Sequence, residues 1–230
     1  MVTKQTNDFA SLDFLDGETL LIDKPPQWSS FKVVHTIRKA INVKRVGHTG
    51  TLDPLATGLL IVLTGRNTKQ MMNFEGLSKT YSGTILLGKS SPSMDTETEM
   101  MDRALPKNFN DDLIFKTREM FLGDIEQIPP MYSALKVDGK KLYDLARKGK
   151  EVERKPRKVN ISRFEITRID IPEVHFDIQC SKGTYIRVIA NDFGEKLGCG
   201  AVLKKLRRTT IGDYSVENAL SVEEFVQKII

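Results

Sequence analysis

Cysteine is almost missing from this 230-residue chain: Cys180 and Cys199 stand alone, with no CxxC pair. That excludes a disulfide framework, and with no histidine at ligand spacing it excludes a structural zinc site as well. Both thiols are expected reduced, in or near the core. Long apolar runs are also lacking. The stretches 58–63 and Val188-Ile189-Ala190 are far too short to cross a bilayer, and no basic segment followed by an apolar one opens the chain,. A cytoplasmic protein with no membrane contact is expected. Repeats and low-complexity segments are missing too, and 40% hydrophobic residues suffice to bury a substantial core,. No clean linker divides the chain, so residues 1–230 read as one catalytic-size domain.

The net charge is +5, and its distribution says more than its total. Residues 136–168 hold twelve Lys or Arg against five acids, whereas 92–126 hold nine acids against four bases,. In the basic stretch Lys136, Lys140, Lys141, Arg147 and Lys148 are interleaved with Gly139 and Tyr143, a mix suited to phosphate contacts as well as to a solvated face. A second cluster, Lys204-Lys205-Leu206-Arg207-Arg208, points the same way.

Met1 to Phe9 is polar and expected to fray. Leu20 to Lys24 reads as a strand, and Ser29 or Ser30 can cap a helix carrying Phe31, Val34, Ile37 and Ile41 at helical spacing. Strands follow at 58–63 and from Thr80 to Leu87, with a short helix from about Thr68 to Phe74. Residues 90–112 read as loop, ending in a helix capped by Asn110 or Asp111. Residues 123–158 form an insertion whose Ile128-Pro129-Pro130 cannot be regular helix, with a short helix from Lys141 to Lys148. Alternation from Val159 to Ile171 and from Val174 to Cys180 marks half-buried antiparallel strands. Thr184 is the candidate cap of a helix burying Ile186, Ile189, Ala190, Phe193 and Leu197, with Arg187 on its polar face. Ser221-Val222-Glu223-Glu224 is a capping-box pattern. Strands and helices without regular βαβ alternation predict an α+β fold with a largely antiparallel sheet flanked by helices.

The run Gly47-His48-Thr49-Gly50-Thr51-Leu52-Asp53-Pro54-Leu55-Ala56-Thr57-Gly58 sets one carboxylate among glycines and threonines. Glycines let backbone turn sharply and approach a ligand, and Pro54 fixes the geometry just after Asp53. The same residues also suit a turn or a helix start.

This run resembles the catalytic motif of the TruB family of tRNA pseudouridine synthases, and further segments extend the resemblance over nearly the whole chain. Lys24-Pro25-Pro26-Gln27-Trp28-Ser29-Ser30 resembles the family's first motif, with Gln27 where Gly and Ser29 where Thr is usual. Lys79-Thr80-Tyr81 resembles the motif of the active-site tyrosine. Cys180 to Arg187 resembles that of the active-site arginine. Leu203 to Gly212 resembles the last motif, in which Leu206 lines the uracil pocket.

The resemblance implies the pseudouridine synthase fold and isomerisation of the T-loop uridine of tRNA, position 55, after base flipping. Asp53 is then the nucleophile, which attacks C1′ or the uracil ring or acts through a glycal. Arg187 is the cation that offsets its desolvation, and Tyr81 stacks on the uracil and serves proton transfer. His48, Tyr185, Leu206 and Lys24 are implied as substrate-binding residues. The 123–158 insertion is implied as a thumb loop closing over the T arm of tRNA through Tyr132, Lys136, Lys140 and Lys141. No metal, organic cofactor or obligate protein partner is implied. A C-terminal PUA-like domain, common in the family, is not seen, so salt-sensitive tRNA binding is expected. A catalytically silent RNA-binding or folding protein of the same fold is the alternative.

Overall fold

The computed structural model describes residues 1–106, 109–137 and 139–229. In chain order the first elements are β1 (Thr19–Lys24), α1 (Ser30–Ile41), β2 (Val46–His48), β3 (Thr57–Thr64), α2 (Met71–Glu75) and β4 (Lys79–Leu87). There follow β5 (Lys89–Ser90), β6 (Met101–Asp102), α3 (Asp111–Glu119), β7 (Gly123–Gln127), β8 (Lys136–Val137), β9 (Lys140–Lys141) and α4 (Leu142–Ala146). The last are β10 (Arg157–Asp170), β11 (Glu173–Cys180), α5 (Ile186–Lys196), β12 (Ala201–Ile211), β13 (Tyr214–Ser215), β14 (Leu220–Ser221) and α6 (Val222–Ile229). Two compact units result, Met1–Ser82 with Lys205–Ile230, and Gly83–Lys204. The chain leaves the first within β4 and returns within β12.

In the first unit the strand order is β14-β1-β3-β12, with β2 on β3 and β13 on β12. β1 runs antiparallel to β3, pairing Leu20 with Val62 and Ile22 with Leu60, while β14 is parallel to β1. The unbroken Leu59-Leu60-Ile61-Val62-Leu63 run of β3 is buried on both faces, as such runs usually are,. Leu60 and Val62 pack with Val33, Ile37 and Phe225 of the flanking helices, and Leu59, Ile61 and Leu63 pack with Phe74 and Ile211 on the other side. Each fully buried Leu or Val contributes about 1.5–3 kcal/mol relative to exposure.

Ser29 caps α1, its hydroxyl accepting from the Lys32 N–H, and Asn42 ends it in the left-handed region at φ 51°. The helix face differs from the expected stripe: Val33, Val34 and Ile37 are buried, whereas Phe31 is 68% exposed. At 100° per residue Phe31 falls about a third of a turn from the arc centred on those three. The amino terminus is not frayed. Val2 is fully buried and bridges Leu20, its N–H donating to the Thr19 carbonyl at 2.7 Å, and Phe9 packs edge-on against Phe225. The expected capping box opens α6, Ser221 and Glu224 each accepting the other's backbone N–H.

In the second unit the order is β4-β11-β10-β7. The β10–β11 hairpin pairs Phe164 with Ile178 and Ile166 with Phe176. Phe164 lies about 6 Å from the rings of Phe121, Phe176 and Phe193, the last from α5. Asn110 caps α3. Thr184 does not cap α5: its hydroxyl donates to the Ser181 carbonyl, and Tyr185 occupies the cap position without a side-chain bond. The expected helix from Lys141 to Lys148 is shorter, α4, preceded by the β8–β9 pair. Both cysteines are buried.

Candidate functional site

Asp53 stands in the loop between β2 and β3, and its backbone is braced from several directions. The Ser30 hydroxyl, at the first turn of α1, accepts the Leu52 N–H at 2.9 Å and donates to the Leu52 carbonyl at 3.1 Å. The ammonium of Lys24 donates to the carbonyls of Trp28, Pro25 and Pro54 at 2.6, 3.0 and 3.3 Å. Arg208 on β12 donates through Nε to Leu59 at 2.7 Å and through Nη2 to Gly50 at 3.2 Å. Within the loop the Ala56 N–H donates to the Asp53 carbonyl, and the Gln27 N–H donates to Pro54. Residues 50, 52, 54 and 59 are thereby held while the Asp53 side chain itself is only half-buried.

Gly58 is required where β3 meets β12. Its φ is +102°, and a Cβ there would lie 2.3 Å from the Arg208 carbonyl oxygen. β12 runs parallel to β3 with Arg207 opposite Thr57 and Arg208 opposite Gly58.

Two buried cations therefore sit beneath the loop: Lys24 is 0% and Arg208 1% exposed. Burial pushes the Lys24 ammonium from its ordinary 10.5 down to about 8, and Arg208 adds to this, while the carboxylates of Asp53 and Asp23 act the other way,. Burial, with help from Arg208, also lowers the His48 pKa, so the imidazole is neutral at pH 7. Its Nδ1 has no hydrogen-bond partner among the described residues. Tyr81, on β4, and Leu206, on β12, are buried in the same unit. Arg207 grips both oxygens of Asp23, at 3.0 and 2.6 Å.

The second unit holds Arg187 in the first turn of α5. Expected on a polar face, it is instead buried, 3% exposed, with Nη1 3.6 Å from Oδ2 of Asp95, itself 0% exposed. A charge so buried needs a counter-charge, and Asp95 provides one. The other carboxylate oxygen of Asp95 accepts the Glu97 N–H at 2.9 Å. Tyr185 is half-buried between guanidinium groups, Arg157 at 4.4 Å and Arg187 at 5.6 Å from its ring centre. Gln127, 1% exposed, accepts the Tyr185 N–H and donates to its carbonyl. Tyr132 is half-buried, and Lys140 and Lys141 are exposed on β9. Lys136 lies on β8, but its side chain falls outside the described residues.

The structure thus brings Asp53, His48, Tyr81, Leu206 and Lys24 into the first unit, and Arg187, Tyr185, Tyr132, Lys140 and Lys141 into the second. Two expectations change. Lys24, grouped with the substrate contacts, spends its ammonium on the carbonyls around the loop. The 204–208 cluster, offered as a nucleic-acid patch, is largely engaged in the fold: Arg208 is buried, Arg207 binds Asp23 and Lys204 binds Glu173. Residues whose part in the site was not read from sequence are Ser30, offered only as a helix cap and a motif residue, Asp95, Gln127, and Arg208 in its loop-holding part. Arg208 carried a signal, since it stands two residues after Leu206 on a strand and so shares its face. Asp95 carried none, lying in a Ser- and Pro-rich stretch that reads as loop.

Among the described residues no cluster of His, Cys, Asp or Glu could hold a metal ion, and no helix is long and apolar enough to cross a membrane. The fold is that of the pseudouridine synthases. The chain aligns over 93% of its length with a chain of a solved Cbf5–Nop10–Gar1 complex, TM-score 0.72 and 26% identity, and over 94% with one of an archaeal Nop10–Cbf5 complex, TM-score 0.68 and 25% identity. It spans about half, 54%, of each of those chains.

Residues 38–186 match the model of the TruB family pseudouridylate synthase N-terminal domain, and 187–230 that of the tRNA pseudouridylate synthase B C-terminal domain. A tRNA pseudouridine synthase B of Flavobacterium johnsoniae is 47% identical over 94% of this chain and 98% of its own. One of Chloroherpeton thalassium is 50% identical over 94% of this chain and 91% of its own. The chain belongs to the TruB family of pseudouridylate synthases.

Proposed function

We propose that this protein is an isomerase that converts the T-loop uridine of tRNA, position 55, to pseudouridine in the cytoplasm. In that reaction the N1–C1′ bond breaks, the uracil turns, C5 bonds to C1′, the C5 proton leaves and N1 is reprotonated, so all atoms are conserved and the reading calls for no cofactor. The observation that carries it is the carriage of Asp53: a half-exposed carboxylate on a loop whose backbone is fixed on both sides by Ser30, Lys24 and Arg208. A nucleophile held this way keeps its aim without reorganising during reaction.

Asp53 holds the reacting fragment, Tyr81 serves the proton transfer, and Arg187 is the reaction's cation. His48, neutral, Tyr185 and Leu206 border the flipped base, whose extrusion costs on the order of a few kcal/mol. Tyr132, Lys136, Lys140 and Lys141 of the 123–158 thumb grip the T arm, and Lys24 acts through the loop rather than on RNA. No obligate protein partner is required.

Tritium release from C5-labelled uridine in T-arm RNA tests this. Wild type should release it, Asp53→Asn should bind RNA but release none, and RNA without that uridine should stay silent. Binding without release by wild type would instead identify an RNA-folding protein.

A further inference from the structure

The outer face of α1 carries a charge pattern that the reaction does not use. From Lys24 to Leu52 the chain has six Lys or Arg and no Asp or Glu. Phe31, Lys32, His35, Lys39 and Asn42 are exposed at three- to four-residue spacing, one stripe along the helix, and Lys44 and Arg45 prolong it,. Beside the stripe lies a shallow groove of about 250 Å³ bordered by His35, Arg38, Lys39, Asn42, Val43 and Lys44.

Elsewhere exposed arginines face carboxylates, as Arg66 does Asp16 and Arg168 does Asp170. None of the cations of this stripe or groove has an ion pair with a described carboxylate, and Lys32 instead sits 4.0 Å over the Trp28 ring. The exposed Phe31 ring stacks on His35, centroids 6.3 Å apart and planes 23° from parallel. Helix-end electrostatics account for Arg38 and Lys39 in the last turn. They leave Lys44, Arg45 and the exposed aromatic pair without a reason inside the fold. Unpaired cations beside an open ring suit phosphates and an unstacked base.

The end of α1 at Ser30 touches the Asp53 loop, and Lys39 lies nine residues on, about 13.5 Å along the axis, with Lys44 and Arg45 following the other end of the helix,. We propose that this face is a second RNA-contact surface, which grips phosphates of the substrate tRNA outside the reacting loop and stacks an unpaired base on Phe31 and His35. The inference rests on the proposed function for the identity of the RNA.

Its test compares two RNAs, an intact tRNA transcript and an isolated T-arm stem-loop, binding to the full chain across a salt series. The triple variant Lys39→Ala, Lys44→Ala, Arg45→Ala should bind tRNA roughly tenfold or more weakly, with the log–log salt slope smaller by about two to three, while stem-loop affinity holds. Phe31→Ala should weaken tRNA binding about fivefold or more without changing the slope. Unchanged tRNA affinity and slope overturn the inference, and so does an equal loss on both RNAs. Tritium release by wild type on the stem-loop is run alongside: its failure overturns the proposed function, whereas the salt series judges the α1 face.

Discussion

Asp95 and Arg187 form an ion pair sealed from solvent, Oδ2 to Nη1 3.6 Å, with 0% and 3% of the two side chains exposed. Removing Asp95 takes from the buried Arg187 a counter-charge that was desolvated with it on folding,. Asp95→Ala should lower the unfolding free energy by about 3–5 kcal/mol, read from urea denaturation. Asp95→Asn can keep the bond from the Glu97 N–H, so it should destabilise less yet lose tritium release, because the Arg187 guanidinium loses the charge that orients it. A denaturation curve for Asp95→Ala that overlays wild type would show the pair to be incidental.

The buried Lys24 ammonium gives a signature in pH. Its pKa is about 8 in the fold against an ordinary 10.5, so between these values the unfolded chain binds more protons than the folded one. Stability contributed by this group therefore rises with pH from about 8 to about 10.5, the reverse of a lysine gaining a salt bridge. Urea midpoints of wild type should climb relative to Lys24→Met across that window. Parallel curves would refute it.

Ser30 bonds both backbone groups of Leu52, the residue before Asp53. Ser30→Ala leaves the buried Leu52 N–H without its acceptor, a loss of about 1–3 kcal/mol. Since what loosens is the loop that carries Asp53, the proposed nucleophile, kcat should fall severalfold with KM little changed, measured by steady-state tritium release. A KM effect alone would place Ser30 in RNA binding instead.

Gln27 adopts φ +62° and donates its N–H to Pro54 at 2.8 Å. Left-handed backbone costs a side-chain-bearing residue about 1 kcal/mol or more, and glycine avoids this at some cost in chain entropy. Gln27→Gly is expected to hold or raise the melting temperature, with activity retained. A clear drop in thermal melting would mean the Gln27 side chain contributes more than its backbone strain costs.

The sequence made the strand and helix framework readable wherever periodicity was strong. β1, β3, the β10–β11 hairpin and α5 lie where alternation and spacing put them, and Ser29, Asn110 and Ser221 cap helices as their positions suggested. The Asp53 loop was legible because glycine, proline and an acid are individually informative about backbone. What holds the loop was not. Lys24 read as a substrate contact and Arg208 as part of a basic cluster for nucleic acid, since burial of a cation depends on carbonyls far away in sequence: Gly50 is 158 residues from Arg208. Asp95 was hidden for the same reason, its partner lying 92 positions on. Met1 to Phe9 looked free because its apolar residues, Met1, Val2 and Phe9, follow no period, and a single bridge to β1 leaves no periodic mark.

β3, covered on both sides, leads straight out of the loop that bears Asp53, the proposed nucleophile. Amide exchange at its centre should require opening of the whole unit, and the loop inherits that rigidity at its carboxyl-terminal root. On heating, then, catalysis and cooperative melting should be lost together, with no temperature range in which an intact protein has already gone silent.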